Sequence, residues 1–109
     1  MLKVAKFGGT SLSDAQQFKK VYNIVKNDVN RKYVVVSAPG KRTKDDNKIT
    51  DLLYLTHAHI KYSVPYEPVL KIIEDRFKLI KEELNLKTDL DTEFRIIREH
   101  LDNKCSEDY

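Results

Sequence analysis

The stretch KFGGTS at residues 6–11 closes a short apolar run that begins at Leu2 and ends at Phe7. The valine and aromatic content of this run predicts a β-strand. Two of the 3 glycines in the chain stand side by side directly after it, and a helical pattern follows. A strand that ends in glycines before a helix N-terminus presents unpaired backbone N–H groups, which are suited to an anion.

A second apolar run, YVVVS, lies at Tyr33 to Ser37. It is continuous, which is typical of a strand buried on both faces of a parallel sheet. Between the two runs, Ser13 and Gln16 have the spacing of a capping box, and apolar residues repeat at helical spacing: Phe18, Val21, Tyr22, Val25 and Val29. The first part of the chain therefore predicts a strand, helix, strand unit with parallel strands, which begins an α/β fold.

The remainder of the chain has a helical pattern. Residues 38–48, APGKRTKDDNK, predict an exposed and mobile loop. A helix is predicted from about residue 48 to about residue 60, and residues 66–104 predict a helical hairpin. Charged residues of opposite sign alternate on the first helix of that hairpin, which predicts a solvated face: Lys71, Glu74, Asp75, Lys78, Lys81 and Glu82.

Composition narrows the class of protein. The 109 residues suit one domain, and 20 basic residues against 17 acidic ones give a net charge of only +3. The charges are interleaved, which argues against nucleic acid or a membrane as the main partner. The single cysteine, the missing apolar segment of a signal peptide and the absence of a stretch of roughly 20 apolar residues predict a soluble, cytoplasmic chain.

The histidines and the cysteine carry little chemistry in this pattern. His57 and His59 lie two residues apart, on different faces of a helix, a spacing that does not suit a shared metal site. His100 has no ligand-like neighbour at metal-site spacing. Cys105 follows the last helix in a polar tail, where an unreactive thiol is the simpler interpretation. No metal site is predicted.

The glycine stretch supports two interpretations. Gly8 and Gly9 allow the backbone to approach phosphate oxygens, Lys6 adds a positive charge, and Thr10 and Ser11 can donate hydroxyl hydrogen bonds. The alternative is an ordinary tight turn with a solvated lysine and a capping serine. The spacing fits neither the Walker A motif nor the dinucleotide fingerprint, so the Gly-Gly pair alone favours the turn.

The second strand strengthens the ligand interpretation. VVVSAPGK at residues 34–41 repeats the arrangement, with Ser37 at the carboxyl end of the strand and Gly40 in the loop after it. Ligands of open α/β sheets bind outside these carboxyl ends. The two loops are therefore predicted to lie together, with Thr50, just inside the next helix, close enough to join them.

Together, KFGGTS at 6–11, VVVSAPGK at 34–41 and TDLL at 50–53 resemble the N-terminal motifs of the aspartate kinases (aspartokinases), in the amino acid kinase family. The resemblance covers about the first 55 residues closely, while the helical remainder fits in type. It implies the carbamate kinase-like sandwich built on a parallel sheet. Three blocks in the same order are much more specific than one glycine pair.

The resemblance also implies an activity and roles for residues. The family reaction transfers the γ-phosphate of ATP, with magnesium, to the β-carboxylate of L-aspartate and gives 4-phospho-L-aspartate for lysine, threonine and methionine synthesis. By resemblance Lys6 holds the transferring phosphate. The phosphate-facing loop consists of Gly8, Gly9, Thr10 and Ser11. The hydroxyls of Ser37 and Thr50 contact aspartate.

Two departures from the family pattern qualify these expectations. The loop between Ser37 and Thr50 is longer and more charged than in shorter-looped members. The family catalytic domain is over twice this length and is followed by regulatory ACT domains. We therefore expect residues 1–109 to be the N-terminal portion of one catalytic domain, inactive alone and prone to self-association, whereas the full enzyme is expected to be a homo-oligomer. Alternatives are a glutamate or carbamate kinase, or a non-catalytic helical interaction module.

Overall fold

The computed structural model describes residues 1–103 and residue 109. It shows a mixed α/β fold, in agreement with the predicted class. The elements are β1 (Lys3–Phe7), a 3₁₀ helix (Gly9–Leu12), α1 (Ala15–Lys26), β2 (Arg31–Val36), α2 (Ile49–Lys61), α3 (Glu67–Glu83) and α4 (Leu90–Asp102).

The two strands pair in parallel, which confirms the predicted strand, helix, strand unit. The register pairs Val4 with Tyr33 and Phe7 with Val36, and it shifts by one residue between Lys3 and Val4. Parallel pairing brings the carboxyl ends of both strands to the same edge of the sheet. The loops that follow Phe7 and Val36 therefore start side by side.

The prediction that β2 is buried on both faces is wrong for this structure. Val34, Val35 and Val36 are 41%, 50% and 58% exposed. The sheet of the described residues has two strands only, so no further strand or helix layer covers these valines. The strand also begins at Arg31, two residues before the predicted Tyr33, and ends at Val36, so Ser37 lies just outside it.

The N-terminus of α1 differs from the predicted capping box by one residue. Asp14 is the N-cap, in an extended conformation, and its carboxylate accepts a hydrogen bond from the backbone N–H of Gln17 at 3.0 Å. The hydroxyl of Ser13 donates instead to the carbonyl oxygen of Thr10 at 3.0 Å. The 3₁₀ turn places the Ser13 hydroxyl within reach of that carbonyl, so Ser13 stabilises the turn and does not cap α1.

The chain divides into two compact units, Met1–Thr50 and Asp51–Tyr109. The buried apolar residues of the first unit are Leu12, Ala15 and Ile49. Those of the second unit are Leu52, Val69, Leu70, Ile73, Ile80, Phe94 and Leu101. Each unit thus has a small apolar core of its own, and the sheet belongs to the first.

Helices α2 and α3 are each followed by a residue in the left-handed region. Ser63 has φ 56° after α2, and Asn85 has φ 53° after α3. After Asn85, the backbone N–H of Leu86 donates to the carbonyl of Lys81 at 2.9 Å. Asparagine tolerates this backbone conformation better than most residues do, so it stops the helix with little strain.

Helices α3 and α4 form the predicted hairpin, but one side of α3 is not the solvated face that its charges predicted. Glu74 is only 9% exposed, and Arg98 of α4 donates to its carboxylate at 3.1 Å and 3.2 Å. Lys78 bridges from α3 to Asp91 at 3.0 Å. The rings of Phe77 and Phe94 pack against each other across the two helices, at 6.2 Å between centroids. The carboxylate of Glu74 is thus an internal tie between the two helices.

Among the residues that the structure describes, every helix is too short or too polar to span a lipid bilayer. Cys105 and Lys104 lie outside the described residues.

Candidate functional site

The two loops at the carboxyl edge of the sheet are joined to each other by their backbones. The N–H of Ser37 donates to the carbonyl of Phe7 at 3.1 Å, continuing the ladder one residue past β2. The N–H of Gly40 donates to the carbonyl of Gly9 at 2.8 Å. The predicted proximity of the two loops is confirmed. A direct hydrogen bond holds the second loop against the first.

Two of the glycines are needed for this close approach. A Cβ on Gly40 would lie 2.8 Å from the carbonyl carbon of Gly9 and 3.0 Å from the backbone nitrogen of Thr10. A Cβ on Gly9 would lie 3.0 Å from the carbonyl oxygen of Ala38. None of the glycines has a positive φ. Gly9 and Gly40 therefore serve backbone packing, a role for Gly40 that the sequence pattern did not predict.

Gly8 has a different environment. Nothing lies within 4 Å of the position that a Cβ would occupy on it. It is the N-cap of the 3₁₀ helix, with φ −78° and ψ 175° and no side-chain cap hydrogen bond. Its carbonyl accepts from the N–H of Ser11 at 3.1 Å. The space beside Gly8 is open, so a ligand atom can approach the start of this turn.

The polar side chains assigned to the site are available to a ligand. Lys6, Thr10, Ser37 and Thr50 are exposed, and Ser11 is half-buried. Within residues 1–103 and 109, none of the hydrogen bonds or ion pairs uses these five side chains. One ammonium group and four hydroxyls thus flank two glycine loops on one sheet edge, a set of donors that fits an anionic ligand.

Thr50 is tied to this edge through its neighbour. The N–H of Ile49 donates to the carbonyl of Pro39 at 3.0 Å, and Ile49 is 2% exposed. Thr50 is the second residue of α2, so the start of that helix is anchored to the loop that follows β2. Within the first unit, the structure therefore brings Thr50 to the same sheet edge as the loops that contain Gly9 and Gly40.

The charged loop between Ser37 and Thr50 is mostly exposed, as predicted, but it contains an internal ion pair. Arg42 Nε lies 2.6 Å from Asp46 Oδ2, and Arg42 Nη2 lies 3.1 Å from Asp46 Oδ1. The guanidinium group holds the pKa of the Asp46 carboxyl well below its usual range, and the carboxylate in turn raises the pKa of Arg42. The sequence did not predict this pair.

The remaining candidates take structural roles. Nδ1 of His59 lies 2.9 Å from the carbonyl oxygen of Pro65, and the ring of His100 stacks on Tyr109 at 4.7 Å between centroids. Among the residues that the structure describes, no group of three or more His, Cys, Asp or Glu side chains is arranged to hold a metal ion.

Comparison with known proteins gives consistent results. The sequence profile described as the amino acid kinase family matches residues 1–95. The chain is 42% identical to aspartokinase 3 of Bacillus subtilis (strain 168) over 85 residues, which is 78% of this chain. It superposes on the crystal structure of the aspartate kinase of Clostridium acetobutylicum, described as an important allosteric enzyme, with a TM-score of 0.93 and 49% identity over 97% of this chain.

The chain is much shorter than both of these relatives. It spans 19% of the Bacillus aspartokinase and 24% of the Clostridium aspartate kinase.

Proposed function

The chain belongs to the amino acid kinase family, and from this membership we propose that it forms the N-terminal part of an aspartate kinase. The proposed reaction transfers the γ-phosphate of ATP to the β-carboxylate of L-aspartate. Both relatives are aspartate kinases at 42% and 49% identity, which favours aspartate over glutamate or carbamate as the acceptor.

The hydrogen bond from Gly40 to Gly9 is the observation that supports this proposal most strongly. It joins the loop with the phosphate-binding features to the loop with the substrate hydroxyls at 2.8 Å. Phosphoryl transfer depends mainly on positioning and on neutralising charge, so two substrates must meet in a fixed geometry. Two glycine loops in backbone contact provide such a frame.

In the proposed mechanism, the residues of the first loop bind the phosphates. The space beside Gly8 lets a phosphate oxygen approach the backbone N–H groups of the 3₁₀ turn, and Lys6 places its ammonium group on the transferring phosphoryl. Thr10 and Ser11 add hydroxyl donors. Since Lys6 has no partner among the described residues, its charge is not already neutralised by a carboxylate.

Ser37 and Thr50, on either side of the second loop, bind the acceptor. Ser37 and Thr50 donate hydroxyl hydrogen bonds to aspartate and orient its β-carboxylate toward the γ-phosphorus. A carboxylate oxygen then forms the new P–O bond while the bond to the ADP oxygen breaks. The carboxylate is already ionised at neutral pH, so this step requires no general base from the chain.

ATP fits the donors that are present, namely an ammonium group, hydroxyls and open backbone at a turn. Magnesium accompanies ATP by binding its phosphates and lowers their charge. The described residues offer no cluster of carboxylates for the ion, so we propose that magnesium reaches this part of the site through the nucleotide.

The same proposal covers the domain organisation, the association and the location of the chain. We propose that residues 1–109 supply one portion of a single amino acid kinase domain, and that they do not phosphorylate aspartate alone. The chain spans only 19% and 24% of the two relatives, which supports this proposal. Lys6, the two glycine loops and the start of α2 are too few groups to enclose two substrates. The exposed valines of β2 favour association with a second copy, and we propose a cytoplasmic enzyme without nucleic acid or membrane partners.

The proposal is tested by segment replacement. Residues 1–109 are substituted for the matching quarter of the Clostridium enzyme, and we call the product the segment-replaced enzyme. Its aspartate-dependent formation of ADP is measured with a coupled assay. Turnover with L-aspartate and none with L-glutamate is the expected result. A folded segment-replaced enzyme without aspartate-dependent turnover contradicts the proposal.

The assignment of Thr50 to the acceptor substrate is tested in the same enzyme. Thr50→Val should raise the KM for aspartate more than the KM for ATP, because the hydroxyl is assigned to the acceptor. Equal effects on both substrates, or an effect on ATP alone, would show that Thr50 has a different role.

A further inference from the structure

In the loop between Ser37 and Thr50, the carboxylate of Asp46 accepts several hydrogen bonds from Arg42. Asp46 Oδ2 accepts from the backbone N–H of Arg42 at 3.0 Å as well as from its Nε at 2.6 Å, and Oδ1 accepts from Nη2 at 3.1 Å. Three donors of one residue therefore converge on one side chain. The Asp46 side chain is 13% exposed, whereas that of Arg42 is 37% exposed. We call this arrangement the Arg42–Asp46 clamp.

The clamp lies inside a loop whose two ends are also tied. Pro39 and Ile49 are joined by their backbone hydrogen bond at 3.0 Å, and Gly40 is joined to Gly9 at 2.8 Å. The N–H of Asp46 donates to the carbonyl of Thr43 at 3.2 Å, which adds a turn inside the clamp. Both ends are buried, at Pro39, Gly40 and Ile49, while the residues between them are mostly exposed.

The arrangement addresses a problem that the loop length creates. Ser37 and Thr50 must stay at a constant separation if both contact one substrate, but a long charged loop between them samples many conformations in the absence of internal ties. A bidentate Arg–carboxylate pair is the ion pair with the most restrictive geometry. It closes residues 42–46 into a ring and so reduces the number of residues in the loop that can vary freely.

We propose that Arg42 and Asp46 are positioning residues for the acceptor substrate. The clamp fixes the loop so that Gly40 stays against Gly9 and the start of α2, with Thr50, stays against Pro39. This inference rests on the proposed function for the identity of the substrate. It assigns to Arg42 a partner within its own loop, so Arg42 is not a phosphate ligand.

The structural part of the inference is tested on the 109-residue chain by amide hydrogen exchange. In Asp46→Ala, exchange at the amides of Gly40 and Ile49 should accelerate about tenfold. Hydrogen bonds to a charged group contribute more to stability than neutral ones, but the partial exposure of the pair reduces that contribution. Arg42→Ala should have a smaller effect, since its backbone N–H still reaches Asp46. Exchange at Ser37, which belongs to the strand ladder, should not change.

Asp45→Ala is the matched control, because Asp45 is the neighbouring exposed carboxylate and makes no hydrogen bond or ion pair within residues 1–103 and 109. It should leave exchange at Gly40 and Ile49 unchanged. Equal acceleration in Asp45→Ala and Asp46→Ala, or no acceleration in Asp46→Ala and Arg42→Ala, overturns the clamp.

The functional part is tested by steady-state kinetics of the segment-replaced enzyme. Asp46→Ala should raise the KM for aspartate about tenfold and Arg42→Ala should raise it less, while the KM for ATP stays within about twofold in both, because only the acceptor hydroxyls lose their spacing. A larger effect of Arg42→Ala on ATP would identify Arg42 as a phosphate ligand and refute the inference. Accelerated exchange together with an inactive unsubstituted enzyme would refute the proposed function and the substrate assignment, but leave the clamp itself supported.

Discussion

Replacing Gly40 with alanine tests whether the contact between the two loops holds the first unit together. The added Cβ would lie 2.8 Å from the carbonyl carbon of Gly9, whereas ordinary contact begins at 3.4 Å, so the two backbones must separate by about 0.6 Å. The hydrogen bond between them, now 2.8 Å, would lengthen by a similar amount. The obstacle is backbone on both sides, which cannot rotate away as a flexible side chain would.

The cost of this substitution follows from two contributions. Overpacking a close contact costs roughly 1–3 kcal/mol, and weakening one backbone hydrogen bond costs about 1 kcal/mol. Gly40→Ala should therefore destabilise the first unit by about 2–4 kcal/mol. Gly8→Ala is the matched control, because its Cβ meets nothing within 4 Å and its φ of −78° suits alanine. It should be neutral or stabilising by up to about 1 kcal/mol.

Urea unfolding of the 109-residue chain, followed by NMR signals of Ser37 and other amides of the first unit, measures both variants. The reasoning is refuted if Gly40→Ala and Gly8→Ala have the same unfolding midpoint. The order should reverse for nucleotide binding in the segment-replaced enzyme. There Gly8→Ala should raise the KM for ATP, since the open space at Gly8 is assigned to a phosphate.

The remaining predictions concern the second unit and the exposed strand. Arg98→Ala should destabilise the α3–α4 hairpin by about 2 kcal/mol, because it removes both hydrogen bonds to the carboxylate of the nearly buried Glu74 and leaves it only Lys78 at 3.9 Å, while Arg95→Ala should change the urea midpoint little. Burial and then the hydrogen bond to Asp102 raise the pKa of Tyr66 to about 12; its contribution to stability is therefore complete below pH 10 and lost as the pH rises to about 12. Absorbance at 295 nm should show a component with a midpoint near 12 that disappears in Tyr66→Phe, and a titration curve identical to that of the unsubstituted chain would contradict the assignment. Sedimentation velocity of the 109-residue chain should show concentration-dependent association that Val35→Lys weakens, whereas a monomer at all micromolar concentrations would exclude it.

The sequence predicted the elements of the candidate site because their signals are local. A glycine pair after an apolar run, and a serine after a second run, identify strand ends from a few neighbouring residues. Parallel pairing then follows from the helix between the strands, so the proximity of Gly9 and Ser37 was predictable. The hydrogen bond between Gly40 and Gly9 was not, because it depends on the path of the loop in three dimensions.

Burial was predicted less well than secondary structure, since it depends on partners far away in the chain. The apolar run at Val34–Val36 indicates a strand that suits a covered sheet, but the cover must come from other elements, and these valines are exposed. Glu74 shows the opposite error. Its charge suggested a solvated face, yet Arg98, 24 residues away, binds it between two helices.

The capping of α1 shows how a local rule fails by one residue. Ser13 and Gln16 match the capping box, but Asp14 is also a favourable N-cap residue and lies next to Ser13. The 3₁₀ turn at Gly9–Leu12 places the Ser13 hydroxyl on the carbonyl of Thr10, which leaves Asp14 to cap the helix. The pattern does not reveal the turn, so it cannot decide between the two.

The kinetic effect of Lys6→Ala in the segment-replaced enzyme tests the central claim most directly, because Lys6 is the charge assigned to the transferring phosphoryl. Loss of one electrostatic contact in a closed site costs about 3 kcal/mol, so kcat for aspartate-dependent ADP formation should fall by a factor on the order of 100 or more. Lys3→Ala is the control, since that lysine pairs with Asp28 at 2.7 Å at the opposite end of β1, and it should leave kcat nearly unchanged. A Lys6→Ala enzyme with near-normal kcat would contradict the claim that this loop binds the phosphate during transfer.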